Sequence, residues 1–187
     1  MNYLRYILPS LVFILLLNSC SSILGIKSPQ KTTKQEVLNY LIKHNIDTSN
    51  VIFLQTDYLD TLKKLPFKPN WEPGFRPIQC KIFNSHGKLI FQYSSCEGYL
   101  KQTGIYDKFP PNNITPIDTT YTLNDEKIII KDSFPKIKNT EYIAIVYWAT
   151  YTGIPGRNFL KNIEQTLNSK NENITILKLN TDDIEDE

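Results

Sequence analysis

The side chains of this 187-residue chain best able to do covalent or metal chemistry are three thiols and two imidazoles: Cys20, Cys80, Cys96, His44 and His86. Neither histidine has a second ligand at metal-binding spacing, so a structural zinc site is not expected. The chain has no glycine-rich phosphate loop and no nucleophile elbow, so no cofactor is expected either. That leaves the sulfurs. In an oxidising compartment Cys80 and Cys96 are candidates for a disulfide. They also read as two free thiols, as a redox-active pair, or, for Cys80, as a small buried hydrophobe.

The first twenty residues decide the compartment. Met1 to Tyr6 carries one positive charge, Arg5, and Ile7 to Leu17 is almost wholly apolar. A run of about 11 residues is too short to cross a hydrocarbon core, which takes about 20 helical residues, and it has the length of a signal-peptide core. Leu17-Asn18-Ser19-Cys20 resembles a lipobox, whose cysteine is acylated and becomes the new N-terminus after cleavage. The resemblance implies a lipoprotein held by acyl chains on Cys20, and two or more chains give stable anchoring. The composition, rich in Asn, Lys and Ile, resembles that of Bacteroidota. Surface export there uses acids just after the cysteine, and none stands at Ser21 to Leu24. The implied location is the cell envelope, facing the periplasm. Residues 1–19 then read as signal peptide, 20–32 as a lipid-anchored tether, 33–181 as a single domain and 182–187 as a solvated acidic tail.

Composition bounds the partners. Removing residues 1–19 takes away Arg5 alone, leaving 20 basic and 19 acidic side chains. The basic residues are dispersed, so no nucleic-acid partner is expected. With 41% hydrophobic and 12% aromatic residues, the remainder can bury one sizeable core.

The elements that must position these residues follow from pattern. Thr33-Lys-Gln-Glu36 is a capping box, and Val37, Leu38, Leu41 and Ile42 follow at helical spacing, predicting a helix over 34–44. A strand is predicted over 51–55, a short helix over 58–65, and a loop through the prolines of 66–77. Residues 78–83 and 88–93 predict a hairpin across Asn84-Ser-His-Gly87. With Ser85-His86 as a two-residue turn, Cys80 lies opposite Phe91. Cys96 is then five residues further on, about 16 Å along a straight strand, against a Cα limit of about 7 Å for a bridge. A bridge therefore needs the chain to curl back after Tyr93. Cys96 to Leu100 is expected to start a short helical piece, 109–120 to be irregular, and 127–131, with three isoleucines, to be a strand. Tyr142 to Trp148 is apolar throughout, as a central strand covered on both faces must be. A helix over 156–168 and a strand over 174–179 complete a βαβ unit with parallel neighbours. With an antiparallel hairpin added, the predicted class is α/β with a mixed sheet flanked by helices.

Ile145-Val-Tyr-Trp148-Ala149-Thr150-Tyr151-Thr152-Gly153-Ile154-Pro155-Gly156-Arg157 resembles the active-site segment of thioredoxin-like proteins. That segment is a buried strand, then Trp-Ala-x-Trp-Cys-Gly-Pro-Cys, then a helix that begins with a basic residue. Trp148, Ala149 and Gly153 match, Tyr151 stands for the second aromatic, and the strand running into Asp182 resembles one that ends in an Asp. Gly74-Phe-Arg76-Pro77 and the hairpin after it look like the cis-proline loop and terminal hairpin of the same family. Their order is inverted, since in the family the Trp-Ala segment comes first, which implies a permuted or rebuilt domain. The chemistry departs further. Thr152 occupies the place of the nucleophilic cysteine and Pro155 that of the resolving one. Thioredoxin catalysis needs an accessible, acidified thiolate, and a threonine hydroxyl cannot supply it.

The resemblance therefore implies a redox-inactive module that binds a periplasmic protein, a peptide or a small ligand, with a groove around Tyr151, Thr152, Arg76 and Pro77. Trp148 itself reads as core. The alternatives are an oxidoreductase using Cys80 and Cys96, and a structural or inhibitory envelope protein.

Overall fold

The computed structural model describes residues 24–55, 57–58, 60–61, 77–94, 118–137, 140–169 and 173–185. Outside these lie residues 1–19, read as a signal peptide, Cys20, Arg76 with its bond to Pro77, residues 66–76 of the predicted loop, Cys96 and the short helical piece it is expected to start, most of 109–120, and Asp186-Glu187. Of the helix predicted over 58–65, Tyr58, Asp60 and Thr61 are described and helical.

Six strands form one mixed sheet in the order β2-β7-β6-β3-β4-β5. These are β2 (Val51–Phe53), β3 (Gln79–Asn84), β4 (Lys88–Ser94), β5 (Asp118–Thr122), β6 (Tyr142–Trp148) and β7 (Ile174–Asn180). β2, β7 and β6 run parallel; β3, β4 and β5 each run antiparallel to the strand before them in the sheet. A separate parallel pair joins β1 (Lys31–Thr32) to β8 (Asp183–Ile184). The class is thus the predicted α/β, and the arrangement is compatible with a thioredoxin-like sheet.

The pleat makes two cores. Ala144, Val146 and Trp148 of β6 pack with Cys80 and Ile82 against α1 (Lys34–Lys43), through Val37 and Leu41, and against α3 (Gly153–Asn168), through Phe159, Leu160, Ile163 and Leu167. Ile143, Ile145 and Tyr147 point the other way, with Phe83, Leu89, Leu177 and Leu179, onto α2 (Leu123–Ile130). A strand covered by helices on both faces can be apolar at every position, which is the pattern β6 shows. α1 begins on the predicted capping box: Glu36 N donates to Thr33 Oγ1 at 3.2 Å, and Thr33 N donates to Glu36 Oε2 at 2.9 Å.

Four expectations are corrected. Residues 127–131 are not a strand. They end α2, where Asp125 Oδ2 accepts from Thr122 N at 2.8 Å at the helix start, and Leu123, Glu126, Ile129 and Ile130 form the buried side. The isoleucine run misleads because the buried residue one turn before it is a glutamate. Residues 118–120, read as irregular, begin β5. The hairpin register also differs: Cys80 faces Tyr93, and Phe91 pairs with Ile82. Asn84 Oδ1 accepts from His86 N at 3.1 Å and Lys88 N at 2.9 Å, which widens the turn, and a bulge after Ile82 takes up the slip. Finally, the acidic end is not wholly a solvated tail. Asp182 and Ile184 are buried, and Glu185 N donates to Thr32 O at 2.9 Å.

Candidate functional site

The segment after β6 is built from the backbone outward. β6 ends at Trp148, a tight turn runs over Thr150–Thr152, and α3 starts at Gly153 with Pro155 in its first turn, where a missing N–H costs nothing. Asn180, the last residue of β7, lies beside Trp148, so the chain leaving β7 passes the turn. Asp182 there accepts from Thr150 N at 2.9 Å, Thr150 Oγ1 at 2.8 Å and Asn180 Nδ2 at 2.7 Å. Thr181 N and Oγ1 both donate to Trp148 O, at 2.9 and 3.1 Å. These bonds make Asp182 the residue that holds the turn in place.

Thr152 lies inside this turn. It is buried, its Oγ1 donates to Ala149 O at 2.5 Å, and a Cβ on Gly156 would stand 1.8 Å from Thr152 Oγ1. Glycine at 156 is thus what allows the threonine to fold inward. The expected groove is corrected accordingly, because Thr152 offers no surface to a ligand. Pro77 is half-buried and precedes β3 by two residues, while Arg76 lies outside the described residues. Tyr151 does line a cleft. Its phenol pKa is raised, chiefly by burial and also by the Asp182 charge, and the Thr181 hydrogen bond opposes this.

That cleft, of about 440 Å³, lies between one side of α1 from Glu36 to His44, the turn with Asp182 and the first residues of α3, and the N-terminal segment. Tyr40 stacks on Trp148 with centroids 6.3 Å apart, its hydroxyl donates to Gly153 O at 3.4 Å, and His44 meets its ring edge-on at 4.7 Å. Arg157 Nη1 is 3.4 Å from His44 Nδ1. Burial lowers the His44 pKa first, and the charges of Arg157, Lys43 and Lys161 lower it further. The imidazole is therefore biased toward its neutral form. No carboxylate pairs with Arg157 among the described residues, which leaves a guanidinium fork free to take a carboxylate or other oxyanion.

Residues 24–32, read as part of a free tether, form one wall of this cleft. Leu24 O accepts from Ile154 N at 2.8 Å, Lys27 N donates to Tyr151 O at 2.9 Å, and Lys31–Thr32 pairs with β8. Gly153 has φ +62°, and a Cβ on it would stand 2.4 Å from Gly25 C and O and from Leu24 O, so glycine at 153 makes the approach possible, while Gly25 is favoured by its own φ of +67°.

The thiol chemistry has no comparable setting. Cys80 is free, fully buried in the core facing α1 and α3, and burial pushes its pKa up to about 12. Its candidate partner Cys96 lies outside the described residues. Among the described residues there is no group of three or more His, Cys, Asp or Glu able to hold a metal, and no helix long and apolar enough to cross a membrane.

Tyr40, His44 and Lys27 were not identified as site residues from sequence. Tyr40 and His44 sit one turn apart on one helix, a spacing that places them on one face, but the residues they meet lie 113 positions away. Neither a family model, nor a curated protein, nor a solved structure matches the chain.

Proposed function

We propose that this chain is a lipoprotein of the cell envelope, anchored through Cys20 and facing the periplasm, whose domain is a redox-inactive thioredoxin-like module that binds a protein or peptide partner. The cleft beside Tyr151 takes the ligand, and Arg157 with its neutral His44 neighbour receives an anionic group such as a carboxylate. One observation carries this reading: the two positions that would hold thiols in the resembled family are Thr152 and Pro155, both buried, while an unneutralised arginine and two aromatic rings line an open cleft next to them.

The burial of Cys80 and its raised pKa speak against disulfide exchange with Cys96, because exchange needs an exposed thiolate.

The test is a photo-crosslinking residue placed in the living envelope at Tyr40, with Asn124 on α2 as control. Discrete adducts at position 40 that disappear when Arg157→Glu is added support the cleft. Adducts unchanged by Arg157→Glu, or equal at both positions, dismiss it.

A further inference from the structure

The N-terminal segment couples the anchor to the site. A free tether over residues 20–32 would let the domain wander roughly 40 Å from the membrane, at about 3.3–3.6 Å per residue. The chain is not free from Leu24 onward, because Leu24 O and Lys27 N are bonded to Ile154 and Tyr151, and Lys31–Thr32 is paired with β8. Only residues 21–23 separate Leu24 from Cys20, which gives a reach of about 14 Å. Acyl chains on Cys20 therefore hold this one face of the domain at the bilayer surface.

The chemistry of the face suits that neighbour. Leu24 and Ile26 are 41% and 40% exposed, two of four exposed large hydrophobic side chains among the described residues. Lys27 follows directly on the same bonded segment. Across the cleft, the charges of Lys43, Arg157 and Lys161 all act on His44, while the two carboxylates that line it are taken up locally, Glu36 by Thr32 and Thr33 and Asp182 by Thr150 and Asn180. Asp183 lies opposite Lys31 in the β1–β8 register, so the attraction falls to the other basic groups. Apolar side chains flanked by unpaired basic ones are the arrangement that seats a protein at an anionic membrane surface.

We infer that the face carrying Leu24, Ile26, Lys27 and Lys43 rests on the membrane that holds the anchor, its apolar side chains in the interface and its basic groups against anionic phospholipid headgroups. This rests on the lipid attachment at Cys20 proposed above. It implies that a partner reaches the cleft along the membrane surface rather than from the open periplasm.

The experiment uses the full lipidated protein in vesicles of phosphatidylethanolamine and phosphatidylglycerol, with a photo-crosslinking residue at Ile26 or, on α2, at Ile128, which is 53% exposed. Lipid adducts should form at 26 and not at 128. Each basic side chain at such a surface contributes about fivefold, so Lys27→Gln with Lys43→Gln should lower the ratio of seated to unseated protein about 25-fold and reduce the adducts at 26. Equal adducts at 26 and 128, or a yield at 26 indifferent to the two substitutions, overturn the inference. Mass spectrometry of the same preparation reads the acyl chains. Their absence overturns the anchor and this inference together, whereas acylated protein with equal adducts overturns the orientation alone.

Discussion

Lys81→Met removes the cation from a charge cluster sealed between the sheet and α2. Lys81 and Glu126 are 1% and 0% exposed, with Nζ 2.6 Å from Oε1. Tyr121 Oη donates to Oε1 at 2.7 Å and Tyr147 Oη to Oε2 at 2.5 Å, while the ammonium lies 4.7 and 5.2 Å from the centroids of the two rings. Burial, then the Glu126 charge, pushes both phenol pKa values far up, so the tyrosines remain donors. Breaking a buried ion pair costs about 3–5 kcal/mol, because the surviving charge is left uncompensated. Here Glu126 retains two phenolic donors, which argues for the lower end, about 3 kcal/mol. For a domain of this size each kcal/mol moves Tm by about 2–4 °C, so Lys81→Met should melt roughly 6–12 °C lower. The assay is urea and thermal unfolding in mild detergent of wild type, Lys81→Met, Glu126→Leu and the double variant. Partners in one buried network couple by about 0.5–3 kcal/mol, so the double variant should lose less than the two single losses combined. A Lys81→Met loss under about 1 kcal/mol, or strict additivity, would refute a sealed pair.

Three further outcomes follow from the site. Gly153→Ala puts a Cβ into the backbone of Gly25 at φ +62° and ψ −137°, a region essentially reserved for glycine, which costs about 1–3 kcal/mol in backbone strain alone; trypsin should then cut after Lys27 faster, and an unchanged rate would show that the segment does not depend on that approach. In a Cys96→Ser background Cys80 should resist a thiol reagent at pH 8, where a pKa of about 12 leaves roughly one thiolate in ten thousand, and should react on denaturation; rapid native labelling would contradict its burial. His44 has a folded pKa below its ordinary 6.5, so its contribution to stability is complete above that value and is lost as pH falls through the folded pKa. Arg157→Met should move the imidazole titration, followed by NMR, upward without restoring the ordinary value, since burial remains the first cause; an unmoved titration would separate the two side chains.

What the sequence revealed depended on whether a residue's surroundings were local. β6, α3, β7 and the hairpin were legible because apolar period and turn residues define them within a few positions, and Thr33 with Glu36 marked the start of α1 outright. α2 was missed because Glu126, which pairs with Lys81 from 45 residues away, interrupts its apolar side. Asp182 reads both as the Asp that ends the family-like strand and as the first acid of an acidic run, and the Thr150 N–H it accepts from makes it structural. The family resemblance points to a groove at Tyr151, and Tyr151 is one of the residues that line the cleft. Thr152, next to it, was placed there wrongly, because its inward fold depends on the absence of a Cβ at Gly156. Tyr40, His44 and Lys27 needed the tertiary structure, since nothing near them in the chain indicates what they meet.

The inverted order of the family-like segments does not keep them apart. β3 runs antiparallel to β6, so Gln79, at the start of one, sits opposite Tyr147, near the end of the other. Pro77, two residues before Gln79, therefore belongs to the same end of the sheet as Trp148 and Ala149. β7 runs parallel to β6 and brings Asp182 to that end as well. Strand pairing, not chain order, sets which segments become neighbours, so a hairpin placed early in the chain reaches the turn as readily as one placed late. This end is also where the parallel strands present their C-termini, the position from which open α/β sheets bind ligands. Leu24 is bonded to Ile154 there, so the N-terminal segment arrives at the same end. Cleft, turn and N-terminal segment thus meet on one side of the sheet, and, on the proposed anchoring at Cys20 and ligand cleft, a change that loosens Gly25 from Gly153 should be felt in both ligand binding and membrane seating.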